Sequence, residues 1–158
     1  MSASILVLGY GNPSRGDDAV GPLLIDYLST LALSDTELLT DFQLQVEHVL
    51  DLENRSLVLF IDAAVSQQAA IRLRPVIPDP GFSISTHALT PQQLLGAYLK
   101  LSPKLPPACF LLAIKAAQFE LGEDLSAEMR QHYQQACQFL HQMLDNPCPD
   151  YWQSLTTS

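Results

Sequence analysis

Apolar residues follow two rhythms along this chain. Unbroken apolar runs over 4–9, 57–61 and 108–114 have the length and composition of strands buried on both faces. Residues 36–43 read as a further strand. Residues 71–76 alternate apolar with arginine (Ile71, Arg72, Leu73, Arg74), the pattern of a half-exposed strand. Between these runs the spacing becomes helical. Val20, Leu23, Leu24, Tyr27, Leu28 and Leu31 share one helix face, and Val46, Val49 and Leu50 predict a short helix over 46–54. Thr90-Pro91-Gln92-Gln93 is a helix start, with Thr90 as cap, Pro91 in the first position and Gln93 completing a capping box. Ser126 caps a long helix whose apolar face is Met129, Tyr133, Ala136, Cys137, Leu140 and Leu144. The order β-α-β-α-β-β-α-β-α predicts a single-domain, three-layer α/β/α sandwich. Its central sheet is expected to be mostly parallel, with right-handed crossovers. Residues 1–145 form this domain; 146–158, with prolines and no period, are expected to be a tail.

The first strand empties into Gly9-Tyr10-Gly11-Asn12-Pro13-Ser14-Arg15-Gly16-Asp17-Asp18. Four of the chain's seven glycines (Gly9, Gly11, Gly16, Gly21) fall in or just after this loop. Proline is tolerated only in a helix's first turn, so Pro22 starts the next helix near 19–21 and leaves Asp18 at or just before its cap. A loop at the carboxyl end of a strand is where open α/β sheets place their ligands.

Composition narrows the function classes. The length of 158 residues suits one domain, and 47% apolar content suffices for a core. A net charge of −9 with eight Lys and Arg argues against a nucleic-acid partner. No run approaches the roughly 20 apolar residues of a membrane span. No basic, cleavable leader precedes the first strand, so a cytoplasmic protein, monomeric and without membrane contact, is expected. Cys109, Cys137 and Cys148 match no zinc or redox spacing. Cys109 and Cys137 read as small buried hydrophobes and Cys148 as an exposed thiol.

Three residues carry candidate chemistry. Asp18 ends the glycine loop, Asp62 ends the third strand, and His87 precedes the capped helix. Carboxyl ends of parallel strands share one sheet edge, so the three are expected to converge there. Two carboxylates and a neutral imidazole suit nickel or zinc. Each residue also has a plainer reading: Asp17 or Asp18 as a helix cap, Asp62 as an acceptor for loop amides, and His87 as a solvated loop residue. His48, His132 and His141 lie within predicted helices and fit such a reading better.

Asn12-Pro13-Ser14-Arg15-Gly16-Asp17-Asp18, Ile61-Asp62-Ala63 and Ser85-Thr86-His87, in this order, resemble the motifs of the hydrogenase maturation endopeptidases. The resemblance runs to about residue 145. Members of that family trim the carboxyl terminus of the large subunit of nickel-iron hydrogenases once nickel is in place. The resemblance implies a phosphorylase/hydrolase-like sandwich. It implies Asp18, Asp62 and His87 as metal ligands and a large-subunit precursor as partner. Nickel would be carried by the substrate, with zinc or another divalent ion able to substitute in vitro. Asp17 or Asp18 would be the base that activates water, the metal polarising the scissile carbonyl. Many members carry glutamate at the position of Asp18. Many also carry a D-G-G-T segment where this chain reads Asp41-Phe42-Gln43-Leu44-Gln45-Val46-Glu47. That form resembles the subgroup serving bidirectional, NAD(P)-linked hydrogenases, and leaves open whether Gln43 or Glu47 takes over the lost loop's role.

Two other functions remain open. One is a metallochaperone that holds the nickel-loaded precursor without cutting it. The other is a nucleotide-binding α/β module, suggested by Gly9-Tyr10-Gly11 after a strand. For a dinucleotide loop the third glycine is due at position 14 but falls at Gly16, and two aspartates would repel a pyrophosphate. There is no G-x-S-x-G elbow and no H-E-x-x-H.

Overall fold

A computed structural model describes residues 3–81 and 87–156. Five strands form one sheet in the order β2-β1-β3-β5-β4. The strands are β1 (Ile5–Tyr10), β2 (Thr36–Asp41), β3 (Leu57–Ala64), β4 (Ile71–Pro75) and β5 (Ala108–Lys115). β2, β1, β3 and β5 are parallel, and β4 runs antiparallel on the edge beside β5. The helices are α1 (Val20–Ser29), α2 (Val49–Leu52), α3 (Pro91–Leu101), α4 (Ala127–Asp145) and α5 (Pro149–Leu155). Short 3-10 turns at Gly16–Ala19 and Val46–His48 lead into α1 and α2. The expected single-domain sandwich with a mostly parallel sheet is therefore the fold observed.

The central strands separate two cores. Val7, Leu59, Ile61 and Leu112 face α1, α4 and α5, where Leu24, Leu28, Met129, Leu140 and Trp152 meet them. Leu6, Leu8, Tyr10, Val58 and Phe60 face α2 and α3, against Leu52, Leu94 and Tyr98. This two-sided burial is why the strands read as unbroken apolar runs rather than as alternations. β4 lies on the edge. Its Leu73 is buried while Arg72 and Arg74 are only half-buried, as its alternation predicts. Thr90 accepts a hydrogen bond from the Gln93 amide at 3.1 Å, and the Gln93 side chain accepts one from the Thr90 amide at 3.0 Å, which completes the expected capping box.

Residues 146–158 are not wholly a tail. Cys148, half-buried rather than exposed, precedes α5, and Pro149 occupies the helix's first turn. Trp152 is fully buried, stacks edge-on against Phe110 with centroids 5.6 Å apart, and donates from Nε1 to the Met143 carbonyl at 2.8 Å. Seven residues are too few for a helical period to show, but one large aromatic with a satisfied polar tip is enough to dock the helix. Truncating it leaves a cavity beside β5. Trp152→Ala is expected to lower stability by about 3–5 kcal/mol in urea denaturation. A loss under 1 kcal/mol would place α5 outside the cooperative core.

Candidate active site

The glycine loop is shaped by close approaches that no side chain would permit. A Cβ on Gly9 would sit 2.5 Å from the Gly21 carbonyl oxygen, so α1 lies almost directly on β1. Gly11, with φ near +150°, brings its α-carbon against the backbone of Asp18, where a Cβ would come within 2.0 Å of the carbonyl oxygen. The loop therefore folds back on itself and returns Asp18 to the end of β1. The Asn12 amide donates to Asp18 Oδ2 at 2.7 Å, and the Ser14 amide donates to Asn12 Oδ1 at 2.9 Å.

The two adjacent aspartates have different tasks. Asp17 is fully buried. Its Oδ2 accepts from the amides of Ala117 (2.7 Å) and Gln118 (3.1 Å) and from the Ser126 hydroxyl (2.8 Å), and its Oδ1 accepts from the Ser126 amide (2.8 Å). Burial alone would raise its pKa, but these four donors outweigh burial and hold it below the usual carboxylate range. Neither aspartate caps its own helix, because α1 and the turn before it have no side-chain cap. Asp17 instead organises the start of α4, where Ser126 caps by accepting from the Met129 amide at 3.1 Å. Asp17, expected as a candidate base, is thus held by four structural hydrogen bonds.

Asp18 is half-buried and lies close enough to Asp62 for its charge to act on that carboxylate. Asp62 lies within β3, which continues two residues beyond it. Its Oδ1 accepts from the Ala63 amide at 2.8 Å. Burial pushes its pKa up to about 6, opposed by Tyr10 and the Ala63 amide and reinforced by the charge of Asp18. Tyr10 was not singled out from the sequence as chemistry. It continues the apolar face of Leu6 and Leu8, and the strand register sets it beside Asp62. Burial and the nearby carboxylates raise this phenol well above its ordinary range.

His87 does not join the pair. It is exposed, and among the described residues no three His, Cys, Asp or Glu side chains gather closely enough to hold a metal ion. Of the three residues expected to converge, the structure brings Asp18 and Asp62 near each other. The backbone nonetheless brings His87 toward the same edge. Two residues on, the Leu89 amide donates to the Leu44 carbonyl at 3.0 Å, and Leu44 follows β2. Ser85 and Thr86 lie outside the described residues.

Beside the glycine loop a cleft of about 300 Å³ is lined by Gly11, Pro13, Pro22, Thr40, Asp41 and Phe42. Asp41 ends β2 directly opposite Tyr10 and pairs at 3.2 Å with Nε2 of His48. His48 is buried, and its Nδ1 accepts the Gln45 amide at 2.9 Å. This is the satisfied histidine that its place in a helical segment predicts. Gln43 and Glu47 are both exposed.

No protein-family profile matches the chain, and no curated protein matches it in sequence. Solved structures do. The HycI nickel-iron hydrogenase maturation protease of Thermococcus kodakarensis aligns with a TM-score of 0.68 at 21% identity, over 91% of this chain and 94% of that one. The HybD hydrogenase maturating endopeptidase of Escherichia coli aligns at 0.69 and 23%, over 92% and 93%. An endopeptidase from Escherichia coli aligns at 0.68 and 24%, over 89% and 90%. At these identities the likeness establishes the fold, and it spans nearly the whole of both chains.

The two site aspartates respond oppositely to removal. Asp17 has a folded pKa below its unfolded one. Its contribution is present above the unfolded value and is lost as pH falls through the folded value. Asp17→Ala would leave buried donors unpaired and is expected to cost at least about 3 kcal/mol at pH 7. Asp62 has a folded pKa raised from 3.8 to about 6, so folding is favoured below the unfolded value and loses that advantage as pH rises through 6. Asp62→Asn is expected to stabilise the protein by up to about 3 kcal/mol at pH 8 and by nothing below pH 4, as read by urea denaturation across pH. Destabilisation by Asp62→Asn at pH 8 would contradict this account.

Proposed function

We propose that this chain is an endopeptidase that removes a short carboxyl-terminal extension from the nickel-loaded large-subunit precursor of a nickel-iron hydrogenase. The single observation that carries the reading is the placement of Asp18 and Asp62. Two carboxylates, one of them shifted upward by burial, lie near each other at the carboxyl edge of a parallel sheet, on the two motifs that resemble the maturation endopeptidases. The likeness in fold to solved maturation proteases supports it. A carboxylate pair without a cation is repulsive, so the site is disposed to receive one. Nickel arrives with the precursor as part of the substrate. Asp18 and Asp62 then ligate it, and His87 completes the set from the loop that leads to Leu89.

Specificity follows from that contact. The enzyme reads a state of its partner rather than a long sequence, because only loaded precursor presents the cation. The cleft beside the glycine loop has room for residues of the extension. Asp18 is the carboxylate that accepts the proton of the attacking water. The water oxygen adds to the scissile carbonyl carbon, the C–N bond breaks, and the proton passes to the departing amine. The fold needs no helix through a membrane, and none of the described helices is long and apolar enough to form one. The same sheet edge argues against a nucleotide ligand, since Asp18 and Asp62 would meet its phosphates.

The test is genetic and direct. Asp18→Asn, Asp62→Asn and His87→Ala, each as the only copy, are expected to leave the precursor unshortened and the hydrogenase inactive, with the variant proteins folded. Normal maturation in a strain carrying all three changes would overturn the proposal. Wild-type protein that captures loaded precursor without ever shortening it would make the chain a holding protein.

A further inference from the structure

We propose that Arg72 and Arg74 form a subsite that binds a carboxylate of the precursor's tail; its part in processing rests on the function proposed above. Strand β4 pairs with β5 so that Arg72 lies opposite Ala113 and Arg74 opposite Leu111. Strand β3 flanks β5 on its other side, with Asp62 opposite Ala113 and Phe60 opposite Leu111. Side chains of directly paired residues share a sheet face. Asp62, Ala113 and Arg72 therefore form one row at the carboxyl edge, and Phe60, Leu111 and Arg74 form the next row inward. Two strand spacings, roughly 10 Å, separate Asp62 from Arg72, with a small alanine between them.

Both arginines are half-buried, and the Nε atom of each is shut off from water with no hydrogen-bond partner among the described residues. An arginine on an edge strand often serves as a guard against strand addition. A guard charge needs only to meet solvent, and its long stem lets it do so with its donors hydrated. Here two neighbouring donors are held dry and unpaired, a cost that guarding the edge does not require. A planar guanidinium grips a carboxylate through two parallel hydrogen bonds, and Nε–H with one Nη–H makes such a fork. The chain has eight Lys and Arg and a net charge of −9, so two cations on one strand face are where this edge can accept an anion. The edge thus has a negative side at Asp18 and Asp62 and a positive side at Arg72 and Arg74. A tail that brings a cation to the first and a carboxylate to the second is held at two points and in one direction.

Two readouts on the full chain test the proposal. In the first, the arginine Nε–H resonances are followed while three probes are added. N-acetylalanine carries a terminal carboxylate, the α-amide of N-acetylaspartate carries a side-chain carboxylate, and N-acetylalaninamide carries none. The Arg72 and Arg74 signals are expected to move and saturate with one or both carboxylates, the stronger response naming the source. Exposed Arg130 is expected to stay in place. No movement, or equal movement with the neutral amide or at Arg130, overturns the proposal and leaves the arginines as guards of the edge. The second readout uses Arg72→Met and Arg74→Met together, which keep the stems and delete the donors. KM for shortening of nickel-loaded precursor is expected to rise about 10-fold, with kcat and the thermal midpoint unchanged. An unchanged KM overturns the proposal, and so does a loss of activity matched by a loss of thermal stability. If wild-type protein itself fails to shorten loaded precursor, the proposed function falls. The resonances still decide whether the two arginines take a carboxylate.

Discussion

The buried carboxylate of Asp17 is the constraint from which the rest of the site follows. It bonds to Ala117 and Gln118, just after β5, and to the cap of α4, a hundred residues or more away in the chain. The backbone reinforces the tie, because the Asp17 amide donates to the Gln118 carbonyl at 2.8 Å and the Gly16 amide to that of Glu123 at 3.1 Å. A charge buried with four donors is stable only if all four stay in place. The turn Gly16–Ala19 is therefore clamped between β1 and the β5–α4 connection. Asp18 inherits its position from its neighbour's bonds. The adjacent pair is thus a structural anion and a working one, separated by a single peptide unit.

Around that clamp the site is built to be electrostatically incomplete. Among the described residues, the amides of Asn12 and Ala63 donate to Asp18 and Asp62 and moderate their repulsion. Burial raises the pKa of Asp62, and the charge of Asp18 adds to that rise. A folded protein gains nothing in stability by holding two such groups together in a half-buried edge. A cation delivered by a partner would relieve the repulsion and return binding free energy for recognition. The edge also offers the cleft lined by Thr40, Asp41 and Phe42, so cation and peptide would be met on one surface.

Much of this was legible in the sequence, for identifiable reasons. Strands buried on both faces leave continuous apolar runs, and the capping box at Thr90 is a purely local signal, so both were read with boundaries close to those observed. The glycine loop betrayed itself because close approaches between β1, α1 and the loop itself admit no other residue. What could not be read was long-range or brief. The partners of Asp17 lie in a loop with no pattern of its own. Helix α5 is too short to show a period, although Trp152 amid polar residues was a hint. Tyr10 was hidden by its alternation with Leu6 and Leu8, which marks it as core. Counting both strands from their apolar starts would have set it beside Asp62. Convergence of His87 with the aspartates was expected from topology alone, and topology places a loop at an edge without fixing where its side chain points.

The most direct measurement of the central claim uses purified wild-type protein and two preparations of one large-subunit precursor, nickel-loaded and nickel-free. Intact mass is followed over time. The account predicts that the loaded precursor loses a single short carboxyl-terminal peptide while the nickel-free one keeps its full mass. Equal shortening of both, or shortening of neither, would contradict it.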